Sequence, residues 1–165
     1  MPKLPLSVTI ICQNEEAKIR DAIRSVSFAD EVIVVDSGST DRTVEIARHE
    51  GARIVLQPWL GYGRQKNFAQ DQARNPWVLN LDADERVSEP LRAEIVRLFQ
   101  SEPVESGFEV PRKNYFGDRW IRHGGWYPNH LVRLVRKDRA RWSEPQVHEA
   151  LMVKGAVGRL NAALD

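Results

Sequence analysis

Apolar residues along this chain follow two rhythms. Continuous runs at residues 6–12, 31–36, 52–56 and 78–81 are rich in valine, isoleucine and leucine. Runs of that kind read as strands buried on both faces of a parallel sheet. Between the first two, Ile19, Ala22, Ile23 and Val26 recur at helical spacing, so a helix is expected over 17–26. Asn14 is placed to cap it, with Glu15 and Glu16 in its first turn. A second helix is expected over 43–50, closed by Gly51, and a third over 64–73 after the loosened loop around Gly61 and Gly63. Ser88 caps a fourth, with Glu89 and Pro90 in its first turn and Leu91, Ile95, Leu98 and Phe99 on its buried face. Strands are expected again over 107–112 and 131–136, while 151–165 is weakly patterned. Strand alternating with helix predicts an α/β fold with a Rossmann-like half.

Two of the buried runs end in aspartate. The run at 31–36 closes on Asp36 and enters the turn Ser37-Gly-Ser-Thr-Asp41, which offers backbone donors to an anion. The run at 78–81 leads into Asp82-Ala-Asp84-Glu85. In extended chain, residues two apart face the same side, so Asp82 and Asp84 can address one ligand at the carboxyl end of a strand. Open α/β sheets bind ligands at that end. Two ionised carboxylates held together repel unless a cation lies between them, and Mg²⁺ or Mn²⁺ suits oxygen donors. An isolated Asp-x-Asp is more often a solvated turn, and Asp36 alone reads as a helix cap; the order of the motifs gives both their weight.

Composition narrows the picture. The 165 residues allow one domain with a substantial core. A single cysteine, Cys12, excludes an internal disulfide and reads as a buried thiol. No leader pattern and no membrane-length apolar run is visible, which points to the cytoplasm. The net charge of +1 hides an imbalance. Nine basic and two acidic residues fall between Pro111 and Trp142, so that segment carries +7 and the remainder −6. An anionic partner is one explanation, namely a diphosphate, a phosphorylated glycolipid or peripheral contact with a membrane surface; a solvated face is the other. Nucleic acid would leave Asp36, Asp82 and Asp84 without a role.

Residues 7–16 (Ser-Val-Thr-Ile-Ile-Cys-Gln-Asn-Glu-Glu), 34–41 (Val-Val-Asp-Ser-Gly-Ser-Thr-Asp) and 77–85 (Trp-Val-Leu-Asn-Leu-Asp-Ala-Asp-Glu) stand in the order and spacing of the family 2 glycosyltransferases. Gly61-Tyr-Gly-Arg-Gln-Lys-Asn67 and Pro145-Gln-Val-His-Glu149 resemble the branch of bacterial lipopolysaccharide inner-core glucosyltransferases. The resemblance spans roughly residues 6–160. It implies the GT-A fold, a three-layer α/β/α domain with a mostly parallel sheet. Residues 6–86 would bind nucleotide and 87–160 the acceptor. Members of the family run past the point where this chain stops, so the resemblance implies a shortened acceptor side.

For mechanism, the resemblance implies inverting transfer of a hexose from a nucleotide-diphosphate sugar, UDP-linked by preference, to a saccharide or lipid-linked acceptor. Asp82 and Asp84 would hold Mg²⁺ or Mn²⁺, with Asp82 toward the ribose and His148 a third ligand. Ile11, Asn14 and Glu16 would line the nucleotide, Asp36 would read its base, and Lys66 would lie near base or phosphates. Arg133 and Arg136 would contact the pyrophosphate, since guanidinium matches phosphate oxygens. Glu149 would be the general base, with Asp118 and Glu144 in reserve. A haloacid-dehalogenase phosphatase is excluded, because its second aspartate needs Thr or Val two residues on and Arg86 stands there. A sugar nucleotidyltransferase needs a glycine-rich loop where this chain has Gln13-Asn-Glu-Glu16. The alternative left open is a non-catalytic nucleotide-sugar-binding module.

Overall fold

The computed structural model describes residues 2–116, 119–121, 129–144 and 150–165, with 114–116 and 119–121 described by backbone alone. The elements run β1 (Leu4–Cys12), α1 (Ile19–Arg24), β2 (Ala29–Asp36), α2 (Thr43–His49), β3 (Arg53–Leu56), α3 (Tyr62–Asp71), β4 (Trp77–Asn80) and α4 (Glu89–Leu98). There follow β5 (Gly107–Arg112), β6 (Asn114–Phe116), β7 (Arg119–Ile121), β8 (Asn129–Arg136), β9 (Ala140–Trp142), β10 (Leu151–Val153) and β11 (Val157–Arg159).

Seven strands form one sheet in the order β11-β5-β8-β4-β1-β2-β3. Strands β1 to β4 are mutually parallel, and β8 alone runs against its neighbours β4 and β5. The apolar runs explain this: Val8, Ile10, Val34, Leu79 and Leu134 are all fully buried, which needs a layer on each face of the sheet. One core packs α1, α2 and α4 against Leu6, Ile10, Trp77 and Phe108. A second, smaller core on the other face packs α3 against Ile33, Val35, Val78 and Val135.

Helix α3 is tied down by buried side-chain amides. Asn67 donates to the Trp142 carbonyl at 2.9 Å and accepts from the Trp142 amide at 2.8 Å, as a neighbouring strand would. Gln70 donates to the Ala140 carbonyl at 2.6 Å. The approach is close enough that a Cβ on Gly63 would come within 2.1 Å of the Ser143 carbonyl oxygen.

Three local expectations change. Helix α1 begins at Ile19, and Asn14 does not cap it. Asn14 instead takes φ 55°, a left-handed conformation that Asn tolerates, and accepts from the Thr40 amide at 2.8 Å. A tertiary bond has won over a helix cap. Helix α3 begins at Tyr62, after Gly61 at φ 97°, so Lys66 sits on its second turn and is buried. The weakly patterned C-terminal stretch holds β11 and Leu164, which is fully buried and bridges Val87 and Arg112. Short edge strands carry too few residues for a period to show.

Candidate functional site

The carboxyl ends of β2, β1 and β4 lie side by side, and everything chemically notable gathers along that edge. Over β1 and β2 opens a cleft of about 540 Å³, floored by Ile11, Cys12, Gln13 and Ser37 and flanked by Glu15. Its far wall is aromatic. Trp59 and Tyr62 pack edge to face with ring centroids 4.8 Å apart, yet remain 49% and 60% exposed. Large rings left this open beside a cavity are unusual unless something packs on them.

The rim is built from the two turns that follow β1 and β2. The Asn14 amide donates to Ser39 Oγ and the Glu15 amide to Thr43 Oγ1, both at 2.8 Å. Glu16 accepts from the Arg42 amide at 3.1 Å. Thr43 holds Asp41 in turn: its hydroxyl, then backbone N–H groups, keep that carboxyl below the usual carboxylate range. Asn14 and Glu16 therefore shape the cleft by stitching one turn to the other.

Asp36 is 2% exposed and saturated locally. It accepts from the Gly38 and Ser39 amides at 3.0 and 2.8 Å, and from the Ser39 hydroxyl. The Cys12 thiol points at it from 3.6 Å. Burial first, then the Asp36 charge, pushes that thiol far up, so Cys12 stays protonated and inert.

At the end of β4 the arrangement differs. Asp82 is about a third exposed and Asp84 is exposed. Glu85, three residues after Asp82, folds back so that its Oε1 accepts from the Asp82 amide at 2.8 Å. The Glu85 amide donates to the Asp82 carbonyl at 3.0 Å, closing the turn. Glu85 is itself 3% exposed and meets two cations, Arg133 at 2.6 Å and Arg112 at 3.1 Å. Neither Glu85 nor Arg112 stands out in the sequence, although Asp-x-x-Glu is the spacing at which a carboxylate reaches back to a turn's first amide.

The two arginines of β8 are separated. Arg133 is 5% exposed and turned toward Asp82, at 3.5 Å. Arg136 lies at the opposite end of the sheet, beside Trp77, pairing with Glu102 at 2.7 Å. Residues three apart on a strand face opposite sides, so the odd spacing carried this signal. Arg136 is not brought to the Asp82 edge.

Beyond Asp82, over β8 and β5, a second cleft of about 350 Å³ is lined by Lys66, Arg112, His130, Trp142 and Ala150. Lys66 Nζ stands 4.1 Å from the centre of the Trp142 ring. His130 Nδ1 is buried there without a hydrogen-bond partner among the described residues. Glu144 is half-exposed and pairs with Arg64 at 3.4 Å. Glu149, His148 and Asp118 lie outside the described residues.

Negative charge is concentrated between the clefts. Burial, then Asp84, Asp41 and Asp82 raise the Glu15 carboxyl above its usual range, against Lys18. Asp84 has no ion pair among the described residues. Hard oxygen donors in an uncompensated negative field fit a divalent cation such as Mg²⁺ or Mn²⁺. No cluster of three or more metal-ligating side chains occurs among the described residues.

Residues 7–156 match the profile of Glycosyl transferase family 2. The chain is 37% identical to the lipopolysaccharide core biosynthesis glycosyltransferase LpsC of Rhizobium meliloti over 96% of its own length and 61% of LpsC. It is 54% identical to an uncharacterized glycosyltransferase of Rickettsia bellii over 59% of its own length and 33% of that protein. The chain thus spans less than two thirds of the length of these relatives. Among solved structures, it resembles glucosyl-3-phosphoglycerate synthase of Mycobacterium tuberculosis in complex with Mn²⁺, UDP and glucosyl-3-phosphoglycerate. That match has a TM-score of 0.54 and 30% identity, covering 65% of this chain and 43% of the other. S. aureus TarS shares the fold at a TM-score of 0.59 and 20% identity, over 83% of this chain and 47% of the other. No helix of the described residues is long and apolar enough to cross a membrane.

Proposed function

Because the chain belongs to glycosyl transferase family 2 and has the GT-A fold, we propose that it serves inverting transfer of a hexose from a UDP-sugar to a saccharide or glycolipid acceptor of the lipopolysaccharide-core kind. The observation that carries this reading is a run of carboxylates joining the two clefts: Asp82 lines the second, and the charge of Asp84 acts on Glu15, which lines the first. The names of LpsC and of the neighbour bound to UDP and Mn²⁺ support the acceptor and the donor respectively.

The nucleotide enters the cleft over β1 and β2. Trp59 and Tyr62 offer it a stacking wall, and Ile11 and Ser37 its floor. Asp36 acts through the turn it saturates, since its oxygens are taken by neighbouring donors. Asp82 and Asp84 would hold Mg²⁺ or Mn²⁺, which when bound offsets the charge growing on the departing diphosphate. Lys66, buried beside Asp82, adds positive charge on the same side. The acceptor occupies the second cleft, where Lys66, Arg112 and His130 stand beside the carboxylates Asp82 and Glu109 and together suit a polar saccharide. Glu149, in the Val-His-Glu segment, is our choice for the base that takes the acceptor hydroxyl proton. His148 remains a candidate third ligand.

Titrating UDP calorimetrically with and without Mn²⁺, on wild type and Asp84→Ala, tests the donor site. Metal-dependent binding weakened by roughly 100-fold in the variant, about 2.7 kcal/mol, is expected. Tight binding indifferent to both metal and Asp84 would sink the reading. Turnover of UDP-sugars then separates an enzyme from a module that only binds.

A further inference from the structure

Strands β4 and β8 stay in register as far as Leu79 opposite Leu134, and there the ladder ends. In the next step, where Asn80 would face Arg133, a side chain replaces the backbone. Arg133 Nη1 donates to the Asn80 carbonyl at 3.2 Å and to Glu85 Oε1 at 2.6 Å. Its Nη2 donates to Glu85 Oε2 at 3.2 Å and stands 3.5 Å from Asp82 Oδ2. One guanidinium thus grips the last carbonyl of the strand, both oxygens of the residue that closes the turn, and the edge of the first aspartate.

We infer that Arg133 and Glu85 are a positioning pair that fixes the Asp82–Glu85 turn, and so sets which carboxylates are presented to a divalent cation. The inference rests on the donor-site reading above, but assigns Arg133 a different task from contacting the pyrophosphate. Arg133 borders the second cleft, but it is only 5% exposed and both its Nη atoms are taken by Asn80, Asp82 and Glu85, which leaves little to offer a ligand.

Three observations support a positioning role over simple stabilisation. First, a buried arginine–glutamate pair is often no more stabilising than apolar residues of the same size, so its stability value is a poor reason for its presence. Second, the contacts are geometrically specific. The planar fork reaches four acceptor atoms on three residues in fixed directions, which a lysine cannot do. Third, the charges divide unequally. Asp82, Asp84 and Glu85 place three negative charges in four residues. Arg133 and Arg112 neutralise Glu85, Arg133 also reaches Asp82, and among the described residues no cation pairs with Asp84.

Hydrogen exchange on the apoprotein, combined with Mn²⁺-dependent UDP titration, tests this. The double variant Glu85→Leu/Arg133→Met replaces the pair by apolar residues, and Arg133→Lys keeps the charge but loses the fork. In the double variant the Asp82 and Glu85 amides are expected to exchange at least about tenfold faster, while β1 and β4 amides and the melting temperature stay near wild type. In both variants the Mn²⁺ needed for half-maximal UDP binding should rise about tenfold, with affinity at saturating Mn²⁺ little changed. Slow exchange at Asp82 and Glu85 with unchanged Mn²⁺ dependence would overturn the proposal. So would faster exchange spread evenly over the sheet, which marks a merely structural pair. If the wild type binds no UDP with Mn²⁺, the donor-site reading fails, and the exchange measurement still decides the pair.

Discussion

Strands β2 and β4 end alike in sequence and differently in space. Each is a buried apolar run with an aspartate at the same edge of the sheet, Asp36 as the last residue of β2 and Asp82 two residues beyond β4. Asp36 is satisfied by its own turn, through amides two and three residues away and a neighbouring hydroxyl. Asp82 depends on partners from distant strands, Arg133 from β8 and, through Glu85, Arg112 from β5. Local neutral donors bury a carboxylate and remove it from chemistry. Long-range cations hold one in place and leave it partly exposed. A strand-terminal aspartate therefore announces a site only when its own turn does not consume it.

The contrast can be broken from either side. The largest effect should come from Asp36→Ala, which strands two turn amides and removes an acceptor from the interior. A loss of about 2–4 kcal/mol in urea unfolding is expected, with UDP affinity falling as the rim loosens. A variant as stable as wild type would mean that the turn holds itself. Next is Trp59→Ala, which removes one ring of the stacking wall. UDP should bind roughly tenfold more weakly at any Mn²⁺ concentration, since base stacking on an aromatic contributes about 1–3 kcal/mol. An effect that depends on Mn²⁺ would place that ring against the metal side instead.

Glu15→Gln should be gentler and should point two ways. The Glu15 carboxyl is raised in the fold, by burial and then Asp84, so the native state loses stability as pH rises from the usual carboxylate range through that raised value. Removing the charge should lift the melting temperature by about 1–2 °C at pH 7.5 while weakening Mn²⁺ binding by a small factor. No gain in stability would show that Glu15 does not feel Asp84. Smallest is Asp41→Asn. The Asp41 carboxyl is lowered, chiefly by the Thr43 hydroxyl, so its contribution is present at neutral pH and fades as pH falls through the lowered value. The stability gap between variant and wild type at pH 7 should close below about pH 4. A constant gap would assign the effect to shape rather than charge.

Much of the frame was readable from the chain, because its signals are local. Val-Ile-Val-Val before Asp36, Gly51 after α2 (φ 91°) and Ser88, whose hydroxyl accepts from the Leu91 amide at 3.2 Å, each act within a few residues. The carboxylates at the ends of β2 and β4 were legible as neighbours on one sheet edge for the same reason. What local pattern could not decide was competition. Asn14 has the right chemistry for a helix cap, and Thr40, 26 residues on, takes it instead. Arg133 and Arg136 look equivalent as residues; their odd spacing signals opposite faces, and the fold decides which one reaches the Asp82 edge. Glu85 was hidden because its partners lie 27 and 48 positions away.

Helix α3 links the two clefts in a mechanical sense. Tyr62 on its first turn walls one, Lys66 lines the other, and Asn67 holds Trp142 by paired amide bonds. Tyr62 and Asn67 are about 7.5 Å apart along the axis, little more than one turn. A rod that short does not bend, and Gly63 leaves no slack against Ser143. The aromatic wall of the first cleft and the strand that precedes the Val-His-Glu segment are thus carried by one short, stiff element, and the two clefts share a common mount.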